Sequence, residues 1–276
     1  MQNAGIAALG LNWRYVACEV DPGNLRAAVE GAKALNFIGL NLTVPHKLLA
    51  VPMVDALDES ARLWGAVNTI RFEGRDASGA WVPMRGFTDA PREVRSHGFN
   101  TDADAITRSL REDLGLEPKS ARILLLGAGG AGRTAALKLA SEHAAELFLV
   151  NRTESKAAAV AREIAQRFPD VKVNIGYPDG RVELVLNATS LGLRADDPAP
   201  WDESRFSLRQ ARAAYDMIYR PAETGLLKSA REAGCRVANG LGMLLYQGAR
   251  ALELWSGLTA PESVMRTALG NNVYGH

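Results

Sequence analysis

Only two cysteines occur in the 276 residues, Cys18 and Cys235, far apart and outside any C-x-x-C or metal-ligand spacing. That excludes a disulfide framework, a zinc site and a dithiol redox centre, and points to buried thiols in a reducing cytosol. Long apolar runs are also missing. No stretch reaches the roughly 18 residues that a membrane span requires, and the first residues lack a basic region followed by an apolar one, so neither anchor nor signal peptide is expected. Charge of one sign is scarce too. A net charge of +1 argues against a nucleic-acid surface as the main business of the chain. There is no solenoid period, low-complexity tract or heptad run. What remains, with 47% apolar and 23% charged residues, is the composition of an ordinary soluble protein, expected in the cytoplasm and long enough for two domains.

The stretch Arg122-Ile-Leu-Leu-Leu-Gly127-Ala128-Gly129-Gly130-Ala131-Gly132-Arg133 organises the rest. The apolar run at 123–126 suits a central parallel strand, and Gly127, Gly129 and Gly132 fall at G-x-G-x-x-G spacing. The first glycine allows a tight turn, the second a close backbone approach to a pyrophosphate, and the third close packing of the helix that begins near Ala131. An anion would sit at that helix's N-terminus, among unpaired N–H groups and the positive end of the macrodipole. Alone, the pattern also describes any helix packed tightly on a sheet. A second apolar strand, Leu147-Phe-Leu-Val150, ends in Asn151-Arg152-Thr153, where a Rossmann unit carries its ribose-reading residue. An NAD site uses Asp or Glu there. An amide, an arginine and a hydroxyl with Lys156 close behind suit the 2′-phosphate of NADP. The alternative for Asn151-Arg152-Thr153 is a helix cap with Thr153 at the N-cap, and both can hold at once.

Ahead of this unit, Gly10 stops a short helix, residues 13–20 read as a strand, and Asp21-Pro22-Gly-Asn24 caps a helix with Leu25, Ala28, Val29 and Ala32 on one face. Residues 37–44 read as another strand, and this βαβ spacing implies parallel neighbours in a first α/β domain. Strand 65–72 enters a hairpin whose turn uses Gly74 and Asp76-Ala-Ser-Gly79, with 80–84 returning. Gly86-Phe87-Thr88-Asp89-Ala90 is echoed by Gly98-Phe99-Asn100-Thr101-Asp102-Ala103. Only the second copy leads into a helix, with Asp102 at its electrostatically welcoming N-terminus, so the first reads as an inserted loop. Later strands are expected near 171–175, 182–190 and 213–219, then helices over 240–254 and 261–269 that return to the first domain.

Taken together these motifs resemble the shikimate dehydrogenase family, including its quinate/shikimate relatives. The matching pieces are Asn41-Leu-Thr-Val-Pro-His-Lys47, Gly65-Ala-Val-Asn-Thr69, Asn100-Thr-Asp102, the glycine turn, Asn151-Arg-Thr153, Asn187-Ala-Thr-Ser190, Asp216-Met-Ile-Tyr219 and Gly240-Leu-Gly-Met-Leu-Leu-Tyr-Gln247. The resemblance implies a substrate domain of residues 1–102 plus 238–276 and a Rossmann domain of 103–237. It implies reversible reduction of 3-dehydroshikimate to shikimate with NADPH, in aromatic amino-acid biosynthesis, by a monomer or homodimer. Lys47 matches the catalytic lysine and Asp102 its partner, while Thr43, Asn68, Tyr219 and Gln247 match residues that line the substrate ring. Gly127 to Gly132, Asn151 to Thr153, Lys156, Asn187, Thr189, Ser190, Met217, Gly240 and Met243 match the path of the cofactor. The chemistry is coherent, since oxidation of an alcohol needs a group to take its proton, and a lysine can do so if burial and neighbours lower its pKa. No metal is implied. The alternatives are a quinate/shikimate dehydrogenase using NAD and an NADP-binding protein without turnover.

The sequence also departs from the family pattern. Ala103 and Ala105 stand where glycines are usual, and the inserted stretch 88–98 is expected beside Asp102, where it could alter substrate access. Ahead of the residues matching Met1-Gln2-Asn3, family members carry a strand and a Ser-x-Ser motif that binds the substrate carboxylate. On that basis the expectation is a gap beside strands 13–20 and 37–43, and a weak hold on the acid.

Overall fold

The computed structural model describes residues 1–275 and divides into two compact units: Met1–Asp102 together with the chain from Gln247 onward, and Ala103–Tyr246. The first unit contains α1 (Gln2–Ala8), α2 (Leu25–Ala34), β1 (Gly39–Asn41), α3 (His46–Leu49), β2 (Ala56–Leu57), α4 (Glu59–Trp64), β3 (Thr69–Arg75), β4 (Trp81–Pro83) and β5 (Val94–Phe99). Its sheet is mixed. β3 runs antiparallel to β5 on one edge and to β1 and β4 in tandem on the other, and β2 lies parallel to β5. One face is apolar: Ile70 and Phe72 of β3 pack with Leu25, Val29 and Ala32 of α2 and with Ala50, Ala61 and Val67. Side chains alternate across a strand, so Thr69, Arg71 and Glu73 line the other face.

That second face carries a buried acid. Glu73 accepts hydrogen bonds from Arg71, from Arg95 Nε at 2.7 Å and from His97 Nδ1 at 3.0 Å, all within the register of β3 and β5. Burial alone would raise its pKa, but the bonds from His97, Arg71 and Arg95 outweigh that and hold the carboxyl at about 2, against an ordinary 4.5. A depressed pKa stabilises the fold fully above the unfolded value and loses that contribution as pH falls toward 2. The Glu73→Gln variant is therefore expected to lose about 2–4 kcal/mol near neutrality, because it strands two arginines. Urea melts at pH 7 and pH 3 check this, and a loss that does not shrink at the lower pH would contradict it.

Four expectations are corrected here. Residues 13–20 form no strand and join no ladder of either sheet. They are tied instead through side chains, Asn3 to the backbone of Tyr15 and Tyr15 Oη to Asn41. In consequence Cys18 is exposed, and only Cys235 is a buried thiol. The parallel pairing expected at 37–44 shrinks to β1, antiparallel to β3, since its supposed parallel partner makes no ladder. The stretch 88–98 is a loop only over residues 88–93. Residues 94–98 belong to β5, and Val94 pairs with Gly74 at the far end of that strand. Eight residues of mostly extended chain then separate it from Asp102, up to about 26 Å at 3.3 Å each.

The second unit contains α5 (Asp102–Leu114, whose first residue belongs to the first unit), β6 (Arg122–Leu126), α6 (Gly130–Ser141), β7 (Glu146–Val150), α7 (Glu154–Arg167), β8 (Lys172–Ile175), β9 (Val182–Asn187), β10 (Ala211–Asp216), α8 (Gly225–Glu232) and β11 (Arg236–Asn239). α9 (Leu241–Ser256) crosses the boundary, and α10 (Glu262–Tyr274) follows in the first unit. All six strands are parallel, in the order β11-β10-β9-β6-β7-β8. Counted along the unit this is 3-2-1-4-5-6 read from the β8 edge, the Rossmann order, with its switch point between β6 and β9. Leu124 and Leu126 bury one face with Val185, Ala214, Phe206 and Leu226, while Ile123, Leu125, Leu184 and Leu186 are fully buried on the other. Burial on both faces explains why β6 is an unbroken apolar run.

Candidate active site and cofactor cradle

In the first unit, two residues 55 positions apart meet. Lys47, in the single turn of α3 after Pro45, places Nζ 2.8 Å from Asp102 Oδ2. The side chains are 28% and 13% exposed, so the pair is partly withdrawn from water yet reachable. Asp102 does not rely on the lysine alone. Its other oxygen accepts from Asn68 Nδ2 at 2.9 Å, and its backbone N–H donates to Asn100 Oδ1 at 3.1 Å. Asn68 is itself clamped: Nδ2 also donates to Thr101 Oγ1 at 2.9 Å, and Oδ1 accepts the Thr101 N–H at 2.8 Å. Asn41 extends the network by donating to Thr69 Oγ1 at 3.0 Å, its cross-strand partner in β1–β3.

A lysine held by a carboxylate that is fixed at both oxygens can give a proton as the ammonium, or take one as the free amine, from a defined position. Thr43 is exposed at the start of the turn leading to Lys47, and Gln247 is half-buried on α9 in the same unit. Tyr219 lies in the second unit, 37% exposed on the segment after β10. Asn100, Thr101, Thr69 and Asn41 were not singled out as site residues by sequence reasoning. The available signal was a run of polar residues, Asn100-Thr101-Asp102, directly after a strand.

In the second unit the glycine turn follows β6. Gly127 has φ +104° and its N–H donates to Val150 O at 2.8 Å, so the turn is bound to the end of β7. A Cβ on Gly132 would overlap the carbonyl of Gly127, which is the close helix-to-turn approach the third glycine permits. Gly129 and Gly130 instead face open space at the start of α6, with Ala131 exposed beside them. Asn151 accepts the Ala128 N–H at 2.9 Å and donates to Thr153 O at 2.7 Å, so its amide braces the turn. Thr153 occupies the N-cap of α7, but its side chain makes no capping bond. Arg152 and Lys156 are exposed, and neither takes part in any ion pair among the described residues.

Opposite the glycine turn, across the switch point, Asn187 Oδ1 accepts from Thr189 N at 3.0 Å and Thr189 Oγ1 at 2.7 Å. Ser190 is exposed and Met217 and Met243 half-buried, while a Cβ on Gly240 would overlap the Met217 carbonyl. An open backbone cradle at a helix N-terminus with two unpaired cations at the next strand end fits a dinucleotide with an extra phosphate. Arg152→Ala is expected to weaken NADPH binding by roughly 1–3 kcal/mol, the scale of a hydrogen bond to a charged group, with little change for NADH. Titration with both nucleotides checks this, and equal losses would contradict it.

Among the described residues no group of three or more His, Cys, Asp or Glu side chains is placed to hold a metal ion, and no helix is long and apolar enough to cross a membrane.

Comparison with known proteins agrees along the chain. Residues 1–70 match the shikimate dehydrogenase substrate binding domain, residues 110–178 the shikimate / quinate 5-dehydrogenase family and residues 240–269 the shikimate 5′-dehydrogenase C-terminal domain. A shikimate dehydrogenase (NADP(+)) from Methanopyrus kandleri is 37% identical over 276 residues, covering 98% of this chain and 89% of the relative. The crystal structure of shikimate 5-dehydrogenase from Thermus thermophilus in complex with NADP(H) and shikimate is 32% identical, with a TM-score of 0.78 over 97% of this chain and 91% of that one. A ligand-free 5-ketofructose reductase of Gluconobacter sp. is also 32% identical, with a TM-score of 0.79 over 98% and 92%. With this identity spread over nearly its whole length, the chain belongs to the shikimate dehydrogenase family.

Proposed function

We propose that this chain catalyses the reversible NADP-dependent reduction of 3-dehydroshikimate to shikimate. Substrate binding is assigned to the first unit and cofactor binding to the second. The observation that carries the reading is the Lys47–Asp102 pair, 2.8 Å apart and held from Asn68 and Asn100. In the reducing direction the bound cofactor supplies a hydride to the carbonyl carbon of the ring. Lys47 Nζ gives its proton to the carbonyl oxygen, so ketone, hydride and proton become one alcohol, and the lysine recovers its proton from solvent. Asp102 keeps the ammonium aimed, and Asn68 keeps Asp102 in place. Thr43 and Gln247 supply hydroxyl and amide partners for a polyol ring. The glycine turn takes the pyrophosphate, Arg152 and Lys156 take the 2′-phosphate, and Asn187, Thr189, Ser190, Met217, Gly240 and Met243 lie along the nicotinamide end. We assign the enzyme to the cytoplasm, as a monomer or homodimer.

One neighbour in fold is named a 5-ketofructose reductase, so the test is a substrate panel. Initial rates with shikimate, quinate and 5-ketofructose, each with NADP(H) and NAD(H), are expected to give the highest kcat/KM for shikimate with NADP+. A higher value for quinate with NAD+, or for 5-ketofructose, would reassign the substrate while leaving the hydride chemistry in place.

A further inference from the structure

One buried charge stands outside both the Lys47–Asp102 pair and the phosphate cradle. Asp216, the last residue of β10, is fully buried. One carboxylate oxygen accepts from Asn187 Nδ2 and from the Ile218 N–H, each at 3.0 Å, and the other accepts from Thr224 Oγ1 at 2.6 Å. All three partners are neutral donors, and Asp216 takes part in no ion pair among the described residues. A carboxylate that accepts three hydrogen bonds is favoured in its ionised form, while removal from water opposes it. Burial pushes the pKa of Asp216 upward because no cation offsets the desolvation. The arrangement is thus an anion without a counter-ion, which is costly to bury.

Bridging alone does not require the charge. Asp216 joins the turn after β9, the turn after β10 and the N-cap of α8, and a neutral asparagine could span the same three groups. What distinguishes the carboxylate is its field. It lies beside Met217 in the chain and one side chain away from Thr189, through Asn187, at the end of the sheet assigned above to the nicotinamide. Departure of a hydride takes two electrons and leaves that ring with one positive charge, so a fixed anion nearby favours the oxidised state.

We propose that Asp216 is the counter-charge of the oxidised nicotinamide, making the second unit bind NADP+ more tightly than NADPH. The proposal rests on the cofactor assignment given under the proposed function. At an effective dielectric near 20, an attraction of about 1–2 kcal/mol between the two unit charges corresponds to a preference of roughly 5- to 30-fold in affinity.

The test is direct binding of NADP+ and NADPH to the full chain without substrate, by titration calorimetry. In Asp216→Asn the amide can keep the same partners, with Oδ1 accepting from Asn187 and Ile218 and Nδ2 donating to Thr224. NADP+ binding is expected to weaken roughly 5- to 30-fold while NADPH changes by less than about twofold. Equal weakening of both, or no change in their ratio, overturns the proposal. Thr224→Val removes one donor but leaves the charge, so it is expected to lower the melting temperature and keep the ratio. A ratio that collapses there as in Asp216→Asn would show bridging rather than charge, and also overturns it. Should Asp216→Asn not be recovered folded, the unmodified chain decides, because the charge requires NADP+ to bind at least about fivefold tighter than NADPH. Equal or reversed affinities contradict it. If neither nucleotide binds the unmodified chain, the cofactor assignment falls and this proposal with it. Loss of shikimate turnover with the binding ratio intact would instead count against the substrate reading alone.

Discussion

Lys47→Ala is expected to lower kcat for shikimate oxidation by roughly 10²–10⁴-fold, the usual contribution of a positioned acid–base group, with a much smaller change in KM. The asymmetry follows from the geometry. Nζ is already held by Asp102 at 2.8 Å, so it is placed to move a proton rather than to supply a flexible contact to substrate. Removing it takes away the proton acceptor for the hydroxyl while leaving the hydroxyl and amide partners of the ring. The clamp on Asp102 from Asn68 and Asn100 persists in the variant, so the fold should survive. Rates with saturating shikimate and NADP+ check it, and near-normal turnover would reduce Lys47 to a surface lysine with an ion-pair partner.

Gly132→Ala is expected to be nearly as damaging, by a different route. The added methyl would overlap the Gly127 carbonyl oxygen, a backbone atom that cannot swing aside as a flexible side chain would. Either α6 retreats from the turn or the turn opens. Overpacking of this kind costs roughly 1–3 kcal/mol of stability, and more where backbone must move. Gly129 and Gly130 at the start of α6 shift with it, so NADP+ affinity should fall by at least about tenfold, or 1.4 kcal/mol. Calorimetric titration together with a thermal melt separates the two effects. Unchanged affinity would mean that the glycine turn is only a packing device.

The second unit was the more legible part of the chain, for physical reasons. Strands buried on both faces read as apolar runs, so β6, β7 and β9 were visible from composition alone, and the glycine spacing fixed the turn between β6 and α6. β11 was missed because Arg236-Val-Ala-Asn239 is short and sits at the sheet edge, paired only with β10. α8, eight residues long, was missed as well. Residues 13–20 fail in the opposite sense. Their composition suits a strand, but a strand exists only against a partner edge, and no local pattern reports that. The exposure of Cys18 follows from the same cause.

In the site, Lys47 and Asp102 are 55 positions apart and came together only through resemblance. The clamp around them was invisible, because Asn68, Thr69, Thr101 and Asn41 find one another through strand register and side-chain rotamers rather than spacing. Asp216 belongs to one of the matching motifs, yet nothing in Asp-Met-Ile-Tyr reveals that the carboxylate would be buried among neutral donors.

The most direct test is whether the purified chain reduces NADP+ when, and only when, shikimate is present. Turnover on the order of 1–10³ s⁻¹, dependent on both compounds and lost in Lys47→Ala, is the expected result. A chain that binds NADP+ yet forms no NADPH with saturating shikimate would contradict it.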